Sequence, residues 1–279
     1  MYYVQQFLEF CVKTNLIVAV SAFCLYKTTE ILFQFHNFHL GCFVFFATLF
    51  TYNYMRVLDS YSFDFSAGGD YIFCYKKIIL SLLFVSAVLI VYLIYILGVQ
   101  FLQLITPVAV ISLLYPISFT VNSATYSLRS IPFLKIFLIS LVWSYVTVLL
   151  PILYYSSSLD YVVLDVFFQR FLFIIAISIP FDIRDMYIDQ IKTFPNTIGV
   201  YESKLFAWFC LFLIDLLLII DLINSIITVP VFCALFITIE ITSIIIYFSG
   251  QNKSFMFYGI IVEGLSIIMC LFVLTAKLF

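Results

Sequence analysis

Residues 78–98 read IILSLLFVSAVLIVYLIYILG, with no charged side chain among them. A helix crossing the ~30 Å hydrocarbon core of a bilayer needs about 20 mostly apolar residues, and this stretch supplies them. A strand of a membrane barrel would alternate apolar with polar residues over a shorter length. No such alternation is present, so the stretch reads as a membrane-spanning helix.

The same texture extends in both directions. The chain has 279 residues, 65% hydrophobic and 10% charged, with mean hydropathy +1.19. A soluble domain runs about 45–50% apolar and about 25% charged. The composition therefore excludes a soluble globular protein and a disordered chain. A net charge of −2 leaves no basic footprint for nucleic acid. The remaining apolar runs are Leu8–Leu25, continuing towards Phe35, then Phe38–Val57, Phe101–Phe119, Ile131–Tyr154, Tyr161–Phe181, Leu205–Asn224, Ile226–Phe248 and Phe255–Leu278. The expected fold is all-α: a polytopic membrane helical bundle of about nine transmembrane helices around a central cavity, in one domain over residues 1–279.

Basic residues orient such a bundle, because Lys and Arg collect in cytoplasmic loops. With the N-terminus inside, Lys13, Arg56, Lys76, Lys77, Arg129, Lys135, Arg184, Lys192, Lys204 and Lys253 all fall on the cytoplasmic side. Only Lys27 and Lys277 fall outside, and Arg170 lies within the sixth span. The expectation is an integral protein of a bacterial inner (plasma) membrane with a cytoplasmic N-terminus. The start, Met1-Tyr2-Tyr3, lacks a basic signal-peptide region, so the first apolar run reads as a retained span. Seven scattered cysteines form no CxxC pair and read as small apolar fillers.

The sharpest chemical signal follows the sixth span. Residues 180–199 read PFDIRDMYIDQIKTFPNTIG. Asp182, Asp185 and Asp189 stand at i, i+3 and i+7, which places them on one helical face. Three carboxylates on one face repel one another unless a cation sits between them. Mg²⁺ takes oxygen ligands and is commonly held by one or two carboxylates together with substrate phosphates. Lys192, a turn beyond, is placed to meet a phosphate. The pattern points to a Mg²⁺–diphosphate site at the cytoplasmic mouth of the bundle. The plainer alternative is a solvated acidic loop.

This loop, the long cytoplasmic connections after the second and sixth spans and the nine-span count together resemble the UbiA family of intramembrane prenyltransferases. Asp182 to Gly199 is similar to that family's second motif, an Asp-rich stretch followed by a Lys-x-Thr-Leu-Pro-type segment ending in Gly. Lys13-Thr14-Asn15-Leu16 resembles the Arg-Pro-x-Asn-Leu start of its first helix. Leu114-Tyr115-Pro116, with Leu128-Arg129-Ser130-Ile131-Pro132-Phe133-Leu134-Lys135, resembles the segment between its fourth and fifth helices. The family's first motif, Asn-Asp-x-x-Asp-x-x-x-Asp, falls on residues 53–61; Asn53 matches, and the three aspartate positions hold Tyr54, Val57 and Tyr61.

The resemblance implies transfer of an isoprenoid chain from a prenyl diphosphate to a lipophilic acceptor, an aromatic ring or a lipid, with Mg²⁺ as cofactor and the bilayer as surroundings. It implies Asp182, Asp185 and Asp189 as catalytic metal ligands, and Asn53, Arg56, Arg129 and Lys192 as diphosphate contacts. A diverged chain that binds a prenyl lipid without catalysis is the alternative.

Asp215, Glu240 and Glu263 lie near the middles of the last three spans, and Asp165 lies five residues before Arg170. A charge at the bilayer centre costs roughly 2.5–3.5 kcal/mol on insertion scales. One carboxylate is expected to pair with Arg170 and the others to stay protonated. A second class of function, a proton- or cation-coupled transporter, rests on these acids.

Overall fold

The computed structural model describes residues 2–62, 69–121, 124–127, 131, 133–156, 159–186 and 193–278. Helices carry nearly all of them: α1 (Tyr2–Lys13), α2 (Leu16–Leu32), α3 (Phe38–Ser62), α4 (Gly69–Leu114), α5 (Leu134–Ser144), α6 (Leu150–Tyr155), α7 (Tyr161–Asp185), α8 (Phe194–Ile198), α9 (Val200–Ile223), α10 (Val229–Phe248) and α11 (Glu263–Ala276). The bundle is all-helical, as expected, apart from one short hairpin. Strand β1 (Ser118–Val121) pairs antiparallel with β2 (Ala124–Ser127), Ser118 opposite Ser127. Their Phe, Tyr, Thr and Val residues favour a pleated ribbon. The fourth apolar run therefore ends as helix at Leu114 rather than at Phe119.

Six helical stretches among the described residues are long and apolar enough to cross a membrane, and a seventh if α1 and α2 count as one bent span. One of the six, Tyr75–Leu114, covers 40 residues. A straight helix of that length would measure ~60 Å, about twice the hydrocarbon thickness. Gly98 interrupts it, with φ 84° and ψ −179°, a region essentially restricted to glycine. The contacts on either side show the chain doubling back. Tyr75 lies beside Phe10, 6.1 Å between centroids. Phe101, just past the break, meets Phe43 at 4.7 Å near the start of α3. Tyr115 then returns to within electrostatic range of Tyr52, further along α3. The third and fourth predicted runs are the two halves of α4.

The helices close a ring. α2 packs on α3, α3 on α4, α4 on α6, α5 on α7, α7 on α9, α9 on α10, α10 on α11, and α11 back on α2. Two π-helical segments, Tyr145–Leu149 and Phe257–Val262, lie in it. The first precedes Pro151, whose ring clashes with the carbonyl four residues back in a regular helix; widening the turn relieves that clash. The second brings Gly259 so near α1 that a Cβ there would lie 2.3 Å from Val12 Cγ1.

One end of the ring carries Lys13, Arg56, Lys135 and Arg184 and is called the basic end below. At the other end Lys277 Nζ donates to the Ile31 carbonyl at 2.7 Å, and Glu30 takes Lys27 and, at 2.6 Å, His36.

A Cβ at Gly98 would touch nothing within 4 Å, so Gly98→Ala tests the backbone alone. We expect it to lower stability by about 1–3 kcal/mol, the cost of a non-glycine residue in that region, measured as a fall in thermal midpoint in detergent.

Candidate functional site

The site begins where the first span breaks. α1 and α2 meet at a 72° bend. Asn15 sits there at φ 60°, ψ 19°, a left-handed conformation that Asn tolerates better than most residues. The bend withdraws helical partners from the carbonyls of Lys13 and Thr14. Side chains from α3 replace them: Arg56 Nη1 donates to the Lys13 carbonyl, and Asn53 Nδ2 donates to the Thr14 carbonyl at 3.2 Å. Asn53 Nδ2 also donates to the Leu49 carbonyl at 2.9 Å, while its Oδ1 accepts from Asn15 Nδ2 at 3.0 Å. Asn53 is fully buried. The two residues expected at a diphosphate thus cross-brace the broken helix, and the Asn53 amide has both its donors and its acceptor engaged.

The second part lies at the end of α7. Asp182 and Asp185 are one turn apart, yet they serve different neighbours. Asp182 is buried; its Oδ1 meets Lys135 Nζ of α5 at 2.8 Å, and its Oδ2 accepts from Phe194 N at 3.5 Å. It ties α7, α5 and the short helix α8 together, with Phe194 wedged between Phe133 at 4.8 Å and Phe206 at 5.2 Å. Asp185 is gripped by its own neighbour. Arg184 donates Nε to Oδ1 at 2.6 Å and Nη2 to Oδ2 at 3.0 Å. Asp189, Lys192 and Arg129 lie outside the described residues.

Arg184 is a feature the motif reading passed over. Its guanidinium lies over the rings of Phe181, Tyr258 and Phe255, at 5.3, 5.4 and 5.6 Å. It is also within electrostatic range of Glu263, and Glu263 of Tyr52. Glu263 and Tyr52 are both half-buried. Trp143 of α5 lies 6.2 Å from the Tyr52 ring, edge to face. Arg184, Glu263 and Tyr52 thus bring polar groups of α7, α11 and α3 within electrostatic range of one another near the basic end.

The acids of the spans are arranged differently from expectation. Gln169 Nε2 bridges Asp165 Oδ2 at 2.6 Å and Asp221 Oδ2 at 2.8 Å. Asp215 lies within electrostatic range of Glu240. Arg170 pairs with none of them. It is 5% exposed, and its Nη1 has no hydrogen-bond partner among the described residues. The i, i+5 spacing of Asp165 and Arg170 explains this, since residues five apart diverge around a helix.

No group of three or more His, Cys, Asp or Glu side chains is placed to hold a metal ion among the described residues. The donors present still suit Mg²⁺ chemically. A carboxylate offers about four lone-pair sites, and Arg184 takes two of those on Asp185. Hard oxygen ligands remain for a cation shared with phosphate.

Comparison with solved structures decides the architecture. A UbiA homolog from Aeropyrum pernix K1 in its apo form superposes with TM-score 0.64 at 11% identity, over 94% of this chain and 96% of that one. A UbiA homolog from Archaeoglobus fulgidus bound to GPP and Mg²⁺ gives 0.65 at 11% identity, over 96% and 100%. The chain has the UbiA fold. By sequence alone, no family model and no curated relative matches it.

On this UbiA fold the Lys135–Asp182 pair is the packed joint between α5, α7 and α8. Removing Lys135 alone leaves a buried carboxylate without its cation. We expect Lys135→Met to cost about 3–5 kcal/mol, the range for breaking one side of a buried pair, and Lys135→Met with Asp182→Leu to recover most of it. Thermal unfolding of the two variants in detergent checks this.

Proposed function

We propose that the chain is a UbiA-like membrane prenyltransferase that moves an isoprenoid chain from its diphosphate to an aromatic or lipid acceptor. One observation carries the reading. Asp182, Asp185, Lys135 and Arg184 meet at the basic end of a helical ring, on the fold of a homolog that holds GPP and Mg²⁺. In this reading the ring crosses a bacterial inner membrane nine times as a single domain, with the N-terminus and the basic end cytoplasmic. The nine crossings are α1–α2 together, α3, the two halves of α4, α5–α6, α7, α9, α10 and α11.

The proposed roles combine the contacts of the described residues with what the resemblance implies for the others. Asp185 and Asp189 hold Mg²⁺. Asp182 positions Lys135 and the start of α8 beside them. The resemblance assigns Arg129 and Lys192 to the phosphates. Asn53 and Arg56 fix the broken helix that forms the opposite rim, and Arg56 adds positive charge there. When bound, the metal draws off charge from the departing diphosphate. The apolar tail lies among the interior side chains, and the surrounding aromatic rings exclude water. As the bond from the allylic carbon to oxygen breaks, its electron pair leaves with diphosphate, and the acceptor forms the new bond to that carbon and releases a proton, which the departing diphosphate can take up.

A second reading, a prenyl-diphosphate binder without transferase activity, is favoured by Tyr54, Val57 and Tyr61 at the three aspartate positions of the resembling motif. Two measurements separate the readings. Geranyl diphosphate binding to the purified protein in detergent is expected to strengthen with Mg²⁺, and Asp185→Ala to remove at least a tenfold part of it, about 1.4 kcal/mol. Unchanged binding in that variant would overturn the metal assignment. Radiolabelled geranyl diphosphate incubated with protein and a lipid extract is expected to give a prenylated product, and a binder gives none.

A further inference from the structure

We propose that Arg184 binds the diphosphate directly, through the edge of its guanidinium that Asp185 leaves open. The inference rests on the reading above and adds a residue that neither the motif nor the resemblance assigns. An arginine carries its five N–H donors in a planar fork. Asp185 takes Nε and one Nη2 hydrogen. Among the described residues Nη1 makes no hydrogen bond, and no ion pair other than that with Asp185 engages the group. A guanidinium stays charged under all ordinary conditions, and its open edge matches two phosphate oxygens.

Its surroundings hold that edge in place. The two-point grip of Asp185 fixes the plane of the group. The rings of Phe181, Phe255 and Tyr258 bound it on the sides, and such contact favours the cation. Asp185 of α7 pairs with it, and the Glu263 carboxylate of α11 lies within electrostatic range, so the cation stands where α7 and α11 approach each other. A diphosphate whose tail lies among the helices of the ring brings its head past Arg184. Lys135, the other cation on these acids, is committed to buried Asp182. Of the two, Arg184 is the one with donors left over.

The consequence is measurable without catalysis. Part of diphosphate binding persists when Mg²⁺ is removed, and that part depends on Arg184. The test uses purified full-length protein in detergent, with geranyl diphosphate, inorganic diphosphate as competitor and geraniol as a headless probe. In EDTA the wild type is expected to bind geranyl diphosphate, and inorganic diphosphate to displace it. Arg184→Gln is expected to weaken this binding at least tenfold. Arg184→Lys, which keeps the charge and loses the fork, is expected to fall between. Geraniol reports whether the tail is still held.

The outcomes divide cleanly. Equal binding in EDTA by wild type and Arg184→Gln overturns the inference. Binding by the wild type in Mg²⁺ but not at all in EDTA also overturns it, and leaves the prenyl-diphosphate reading standing. Loss of geraniol binding in both variants alongside the diphosphate assigns Arg184 to packing. Absence of geranyl diphosphate binding to the wild type under both conditions removes the reading, and the inference with it.

Discussion

Inside hydrocarbon no water is present to satisfy a backbone group that leaves its helix, so every interruption needs a partner from the protein. That constraint organises this molecule. Where α1 gives way to α2, the carbonyls of Lys13 and Thr14 lose their helical donors, and Arg56 and Asn53 supply new ones. Asn15 completes the brace from the other side. The broken first span and the third helix are thereby locked at one level of the ring. Tyr75 of α4 comes in beside Phe10 at that same level. The basic end is built around a repaired defect in a helix.

Charge imposes the second constraint. Ions in a low-dielectric interior are tolerated when paired. At the end of α7 the two described aspartates each have a cation, Lys135 for Asp182 and Arg184 for Asp185. The pairs differ in consequence. The first is buried and joins three helices. The second is half-exposed and leaves guanidinium donors over. The same turn of helix thus holds a structural joint and a group able to meet a ligand. Deeper in the ring, Gln169 reconciles Asp165 with Asp221 by donating to both.

Much of the architecture was legible in the linear chain because lipid allows so few backbone solutions. Residues 78–98 read as a helix without ambiguity, and the run at 101–119 read as another, although one residue, Gly98, joins them into a single element. The end of the fourth run was misplaced for a local reason: Ser118–Val121 is apolar enough to extend a hydropathy window, while its β-branched and aromatic residues pair better as a strand with Ala124–Ser127. Asn53 and Arg56 were legible as important and not as what they do. Their partners are backbone carbonyls some forty positions earlier in the chain, exposed only because the helix bends there. In the sequence Arg184 reads only as one more cytoplasmic cation beside three conspicuous acids. An arginine set among aspartates on a span terminus was the available signal.

By itself the sequence determined that the chain requires lipid, where its apolar rods lie, and that acidic and basic groups gather at one side. Composition and hydropathy are sums over neighbouring residues, and they survive without three-dimensional information. Tertiary structure alone decided which carboxylate took which cation, that Arg170 stands apart from Asp165, and that Asn53 braces a bend. Those outcomes depend on the faces that packed helices turn to one another. Residues such as Lys135 and Asp182, 2.8 Å apart in space, are separated in the chain by two spans whose packing angles no periodicity encodes.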